Sequence, residues 1–154
     1  MPKTAQSEVA VLASAKHGLL YLSTNDWNLI VDKGARVSFR AGEKIVRSGE
    51  KTDGVHLLLE GTATVQLPAR MKSPVIGPGE ICGELSFLDE LPASANVVAS
   101  ERVETLLLDR PTLYSLFELF PHLGSRFYRS LATNLSHRLR GSNRAGDGDS
   151  AGGM

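Results

Sequence analysis

The chain has 154 residues, 42% of them hydrophobic and 22% charged, which suits one globular domain with a sizeable core and leaves too little chain for two. Lys and Arg together number 17, as do Asp and Glu, so net charge argues neither for nor against a nucleic-acid partner. A single cysteine, Cys82, excludes an intramolecular disulfide and fits a reducing compartment.

At the N-terminus the apolar stretch is interrupted by Ser7, Glu8, Ser14, Lys16 and His17, and no run approaches the roughly 18 apolar residues of a membrane span. A cytoplasmic protein is expected. Residues 1–18 read as a flexible lead-in or a loose helix. Ser23-Thr24-Asn25-Asp26 then offers capping oxygens ahead of Trp27, Leu29, Ile30 and Val31, a short amphipathic helix that ends at Lys33-Gly34.

From Ala35 to Leu108 the texture changes to short apolar runs split by turn residues. Val37 and Phe39 alternate with polar neighbours, Val55 to Leu59 form a run containing His56, and Ala63, Val65 and Leu67 alternate again. Val75-Ile76, Val97-Val98 and Val103 to Leu108 supply further strands. Seven or eight such runs indicate an antiparallel sandwich or barrel of jelly-roll type. Gly49, Gly61 and Gly79 fall at tight connections, where a positive φ or a close backbone approach excludes a side chain. Cys82, flanked by apolar residues, reads as a small buried hydrophobe.

After Asp109 the period becomes helical. Asp109 caps a helix with Pro111 in its first turn and Leu113, Leu116, Phe117 and Phe120 along it. Pro121 restarts a second helix, with Leu123, Phe127, Leu131, Leu135 and Leu139 forming a stripe that runs to Arg140. Residues 141–154 contain no large apolar residue except the final Met154 and read as a disordered tail.

Several landmarks in order resemble the cyclic-nucleotide-binding domain family, whose members include bacterial catabolite activators and cyclic-nucleotide-regulated kinases and channels. Phe39-Arg40-Ala41-Gly42-Glu43-Lys44-Ile45 is similar to the family's Phe-x-x-Gly-Glu-x-Ile. Gly49, Asp53 and the Leu58-Leu59-Glu60-Gly61 turn follow at family spacing, and Gly79-Glu80-Ile81-Cys82-Gly83-Glu84 resembles its Gly-(Asp/Glu)-x-Phe-Gly-Glu. The resemblance covers residues 19–140. It implies a mainly β fold with flanking helices: an eight-stranded antiparallel β-roll, a short N-terminal helix and two C-terminal helices.

Within that resemblance, Ile81 to Ala99 is similar to the family's phosphate-binding cassette. Glu84 is then the acceptor for a ribose 2′-hydroxyl, or a structural carboxylate holding the turn. Gly83, Leu85, Ser86, Ser94 and Val75 complete the expected ligand contacts, with Val97 and Phe87 as further apolar lining. The implied ligand is cAMP or cGMP, with no cofactor or metal. One departure is prominent: Ala93 stands where the family places its phosphate-clamping arginine. Between Lys72 and Arg102 there is no basic residue, while Glu80, Glu84, Asp89, Glu90 and Glu101 are acidic. Losing one partner of a buried charge pair costs about 2–5 kcal/mol, a weakening of about thirty-fold or more. Arg70, Lys72 or a partner subunit are the possible sources of a replacement cation.

The last helix carries Arg126, Arg129, Arg138 and Arg140 and no acidic residue. As a nucleic-acid stripe this reading is weak; the resemblance instead implies a helix that caps the pocket and pairs with its copy through Leu123, Phe127, Leu131 and Leu135. His17, His56, His122 and His137 show no metal-ligand spacing, and no nucleophile or P-loop motif is present. The expectation is a non-enzymatic, stand-alone regulatory module with weak or altered ligand binding, homodimeric and acting through an unidentified protein partner. The alternative is a degenerate member serving as a dimerising or protein-docking scaffold.

Overall fold

The computed structural model describes residues 4–68 and 72–152, with side chains to residue 141. In chain order it contains α1 (Ala5–Ser14), α2 (Thr24–Lys33), β1 (Ala35–Phe39), β2 (Lys44–Val46), β3 (Gly54–Glu60), β4 (Ala63–Gln66), β5 (Val75–Ile76), β6 (Ile81–Cys82), α3 (Glu84–Asp89), β7 (Asn96–Ala99), β8 (Val103–Asp109), α4 (Arg110–Leu119) and α5 (Pro121–Gly152). Two four-stranded antiparallel sheets form, in the orders β1-β8-β3-β6 and β2-β7-β4-β5. The expected mainly β roll with flanking helices is the observed fold.

Strand β3 shows how the two cores divide. Successive side chains on a strand point to opposite faces. Accordingly Val55, Leu57 and Leu59 join the helices Trp27, Ile30, Leu113 and Phe127 occupy, while Leu58 joins Ile45, Ala63, Val97 and Val103 between the sheets. Both faces of β3 are buried, so its sequence is a continuous apolar run broken only by His56. That histidine lies on the Leu58 face, with Nδ1 2.8 Å from the Thr105 hydroxyl and its ring edge-on to Phe39.

Helix α2 begins in a reciprocal capping box: the Ser23 hydroxyl accepts from the Asp26 amide at 3.1 Å, and the Ser23 amide donates to Asp26 Oδ2 at 2.9 Å. Asp26 also receives Arg126 Nε and Nη2 at 2.6 and 2.8 Å. The Arg126 guanidinium holds this carboxyl below its ordinary pKa, burial opposing. Along the same line the Tyr21 amide donates to Ser130 Oγ at 3.0 Å, Arg129 stacks 4.0 Å over the Tyr21 ring, and Asn134 Nδ2 donates to the Gly18 carbonyl at 3.0 Å. The segment from Gly18 to Asp26 therefore runs along one side of α5 and fastens it turn by turn.

Both ends of the described chain are helical. Within residues 1–18, expected as a flexible lead-in or a loose helix, α1 is capped by Thr4 and buries Leu12 in the helix-side core. Its Glu8 is paired with Arg36, which anchors the helix to β1. Gly79 makes room for it: φ there is +85, and a Cβ would lie 2.3 Å from the Ala15 Cβ. Gly49 and Gly61 also have positive φ, +85 and +84, as their positions in the sequence require. At the other end the α5 backbone continues through residues 141–152, the segment expected as a disordered tail for its lack of large apolar residues.

Burial lowers the pKa of His56 from 6.5 to about 4, so it is neutral in the folded chain near pH 7. The unfolded chain binds the extra proton first, and stability falls as pH drops from about 6.5 toward 4. Thermal melts across that range should show a shallower pH slope for His56→Phe than for the wild type; equal slopes would contradict the assignment. Cys82 is buried on β6 and burial pushes its thiol pKa up. Native protein should resist thiol alkylation at neutral pH and react only on unfolding.

Candidate functional site

The β6–α3 junction is shaped by Gly83, whose φ of +85 turns the chain from strand into helix. Threonine and serine side chains then hold the turn. Thr52 Oγ1 donates to the Gly83 carbonyl at 3.1 Å, the Thr52 amide donates to Ser86 Oγ at 3.1 Å, and Ser86 Oγ donates to the Leu91 carbonyl at 2.6 Å. At the far end of α3, Arg110 donates to the Phe87 and Ser86 carbonyls at 3.0 and 3.3 Å. The loop after α3 is pinned to the β2–β3 connection: the Gly49 amide donates to the Ala93 carbonyl at 2.8 Å, and the Ala93 amide donates to the Glu50 carbonyl at 2.9 Å.

This segment frames a cavity of about 510 Å³. Gly83, Glu84, Leu85, Ser86, Ala93, Ser94 and Val75, the residues singled out in the sequence, all lie on its wall. Their environments differ. Glu84 is buried, Leu85 and Val75 are exposed at the rim, and Val46, Val65, Ile76 and Val97 give the interior an apolar lining. Ser86 lies on the wall, but its hydroxyl both accepts from Thr52 and donates to Leu91, so its role is to close the loop. Phe87, expected as lining, turns away: it is 2% exposed and packs among Tyr114, Phe127 and Tyr128. On a helix that short, only one side can face the cavity.

Part of the wall comes from outside the cassette. Helix α5 contributes Asn134, His137 and Arg138, and His17 stands beside them. Arg138 Nη1 donates to Glu84 Oε1 at 3.0 Å, between side chains 51% and 8% exposed. Of the basic residues considered for this position in the sequence, Lys72 is exposed and does not line the cavity, and Arg70 lies outside the described residues. Arg138 was legible in principle: Phe127, Leu131, Asn134 and Arg138 follow at three- and four-residue steps and share one helix face.

The same spacing changes the reading of the apolar stripe. Leu123, Phe127 and Leu131 are buried inside the chain against α3, α4 and the β1-β8-β3-β6 sheet. Three of the four residues expected to meet a second copy are thus covered by the chain itself, and the fourth, Leu135, is half-buried. Three of the four arginines expected along this helix, Arg126, Arg129 and Arg138, are engaged at Asp26, Tyr21 and Glu84, while Arg140 is exposed. No helix among the described residues is long and apolar enough to cross a membrane.

Comparison with known proteins agrees with this architecture. The family model described as the cyclic nucleotide-binding domain matches residues 36–119. Cyclic GMP-binding protein C of Dictyostelium discoideum is 29% identical over 130 residues, which cover 77% of this chain and 5% of that protein. Among solved structures, a cyclic nucleotide-binding domain from Methylobacillus flagellatus superposes with a TM-score of 0.74 at 24% identity, covering 90% of this chain and 79% of that one. The catabolite activator protein of Thermus thermophilus gives 0.68 at 28% identity, covering 84% and 61%. The chain spans between 5% and 20% of the length of the curated relatives it matches. It belongs to the cyclic nucleotide-binding domain family.

Proposed function

We propose that this member of the family is a regulatory module whose cavity binds a cyclic nucleotide, cAMP or cGMP, more weakly than a site with arginine at position 93. The observation that carries this reading is the open cavity of about 510 Å³ with a buried carboxylate, Glu84, on its wall. A scaffold without a ligand would be better served by side chains filling that space. Glu84 accepts the ribose hydroxyl in this reading, and the apolar wall of Val46, Val65 and Val97 takes the base by burial of its faces. Occupancy is passed on through α4 and α5, to other segments or to a protein partner. The role is one of binding and not of catalysis.

The energetic weakness lies at Ala93. Its side chain packs against the inter-sheet core and offers the phosphate no charge. Isothermal titration with cAMP and cGMP should give saturable binding in the micromolar-to-millimolar range, and Ala93→Arg should tighten it at least about tenfold, since a buried charge pair is worth about 2–5 kcal/mol. No heat from the wild type and no gain in Ala93→Arg would reject the reading.

A further inference from the structure

We infer that Arg138 of helix α5 is the cation that holds the anionic group of the ligand, taking the place of the arginine absent at position 93; this rests on the binding reading above. Three observations carry it. First, the cassette brings no Lys or Arg to the cavity, and among the described residues Arg138 is the arginine on its wall. Second, Arg138 is held in place. The three turns of α5 that precede it are fastened at Arg126 to Asp26, at Ser130 to Tyr21 and at Asn134 to Gly18. Third, its guanidinium carries five N–H donors, and only the contact from Nη1 to Glu84 Oε1 engages it among the described residues.

The pair is suited to one kind of ligand. Glu84 can accept from a hydroxyl through its remaining lone pairs while Arg138 donates its remaining N–H groups to an anion beside that hydroxyl. A phosphodiester monoanion with a neighbouring free hydroxyl, the arrangement of a cyclic nucleotide, presents both. The planar fork matches two phosphate oxygens, which an ammonium cannot. The phosphate is then gripped from the α5 side of the cavity, and its affinity depends on that helix being in place.

The competing account is that Arg138 only neutralises Glu84. Titration of the full-length chain with cAMP and with adenosine, which lacks the phosphate, separates the two. Arg138→Gln should weaken cAMP at least about tenfold and leave adenosine within about twofold, and raised ionic strength should weaken cAMP alone. Arg138→Lys should recover part of the loss. The double variant Glu84→Gln with Arg138→Gln, which leaves no unpaired buried charge, controls for folding; measured against Glu84→Gln alone, which loses the hydroxyl acceptor for both compounds, it should show the same loss of cAMP relative to adenosine. Unchanged cAMP affinity in Arg138→Gln, or equal loss of cAMP and adenosine in both variants, overturns the inference while the cavity reading stands. Adenosine binding to the wild type as tightly as cAMP overturns it as well. Failure of wild type and Ala93→Arg to bind either compound rejects the cavity reading, and this assignment with it.

Discussion

Helix α5 docks on its own chain through the first three residues of its apolar stripe. Leu123, Phe127 and Leu131 are buried against the roll and α4, each contributing about 1.5–3 kcal/mol when fully removed from water. Much of the rest follows from this docking. Phe127 meets Phe87 edge-on at 6.0 Å, which fixes which side of α3 faces inward and so which side faces the cavity. The same helical face, continued two turns further, brings Asn134 and Arg138 over the opening. A helix docked by any other stripe would not bring Asn134, His137 and Arg138 to the cavity.

Buried carboxylates tell a parallel story. Glu8, Asp26 and Glu84 are all buried, and each is paired with an arginine far away in sequence: Arg36, Arg126 and Arg138. Buried charges need such partners, since an uncompensated one is strongly destabilising. The first pair ties α1 to β1 and the second ties α2 to α5. The third has the most exposed arginine of the three and sits on a cavity wall, where a ligand can reach both partners. Within the cassette, Thr52, Ser86 and Arg110 fasten the Gly83, Leu91 and Phe87 carbonyls. Preorganisation of this kind lowers the entropic cost of binding.

The roll was legible because its signals are local. Positive-φ glycines at 49, 61 and 79, the Ser23–Asp26 box and the period-two runs all report on a few neighbouring residues. The seven cavity residues were legible for a related reason: six lie within one short segment, and Val75 is on the strand that precedes it. What the sequence left open is what covers what. Periodicity marks the apolar face of α5 but does not say whether a second copy or its own roll covers it. Helical spacing puts Arg138 on the buried face of α5, but its partner Glu84 lies 54 positions away, so the pairing itself has no local signal. Ser86 and Phe87 were placed in the cassette correctly, yet their orientation depended on the tertiary partners Thr52 and Phe127.

The account stands on a cavity that binds a cyclic nucleotide between the cassette and α5. A crystal structure of the full-length chain with cAMP tests it most directly. The account predicts the ribose hydroxyl on Glu84 and phosphate oxygens within hydrogen-bonding distance of the Arg138 guanidinium, with α5 lying along the roll as it does here. A saturated crystal whose cavity holds no nucleotide, or a phosphate bound at the Ala93–Ser94 backbone with Arg138 still on Glu84 alone, would contradict it.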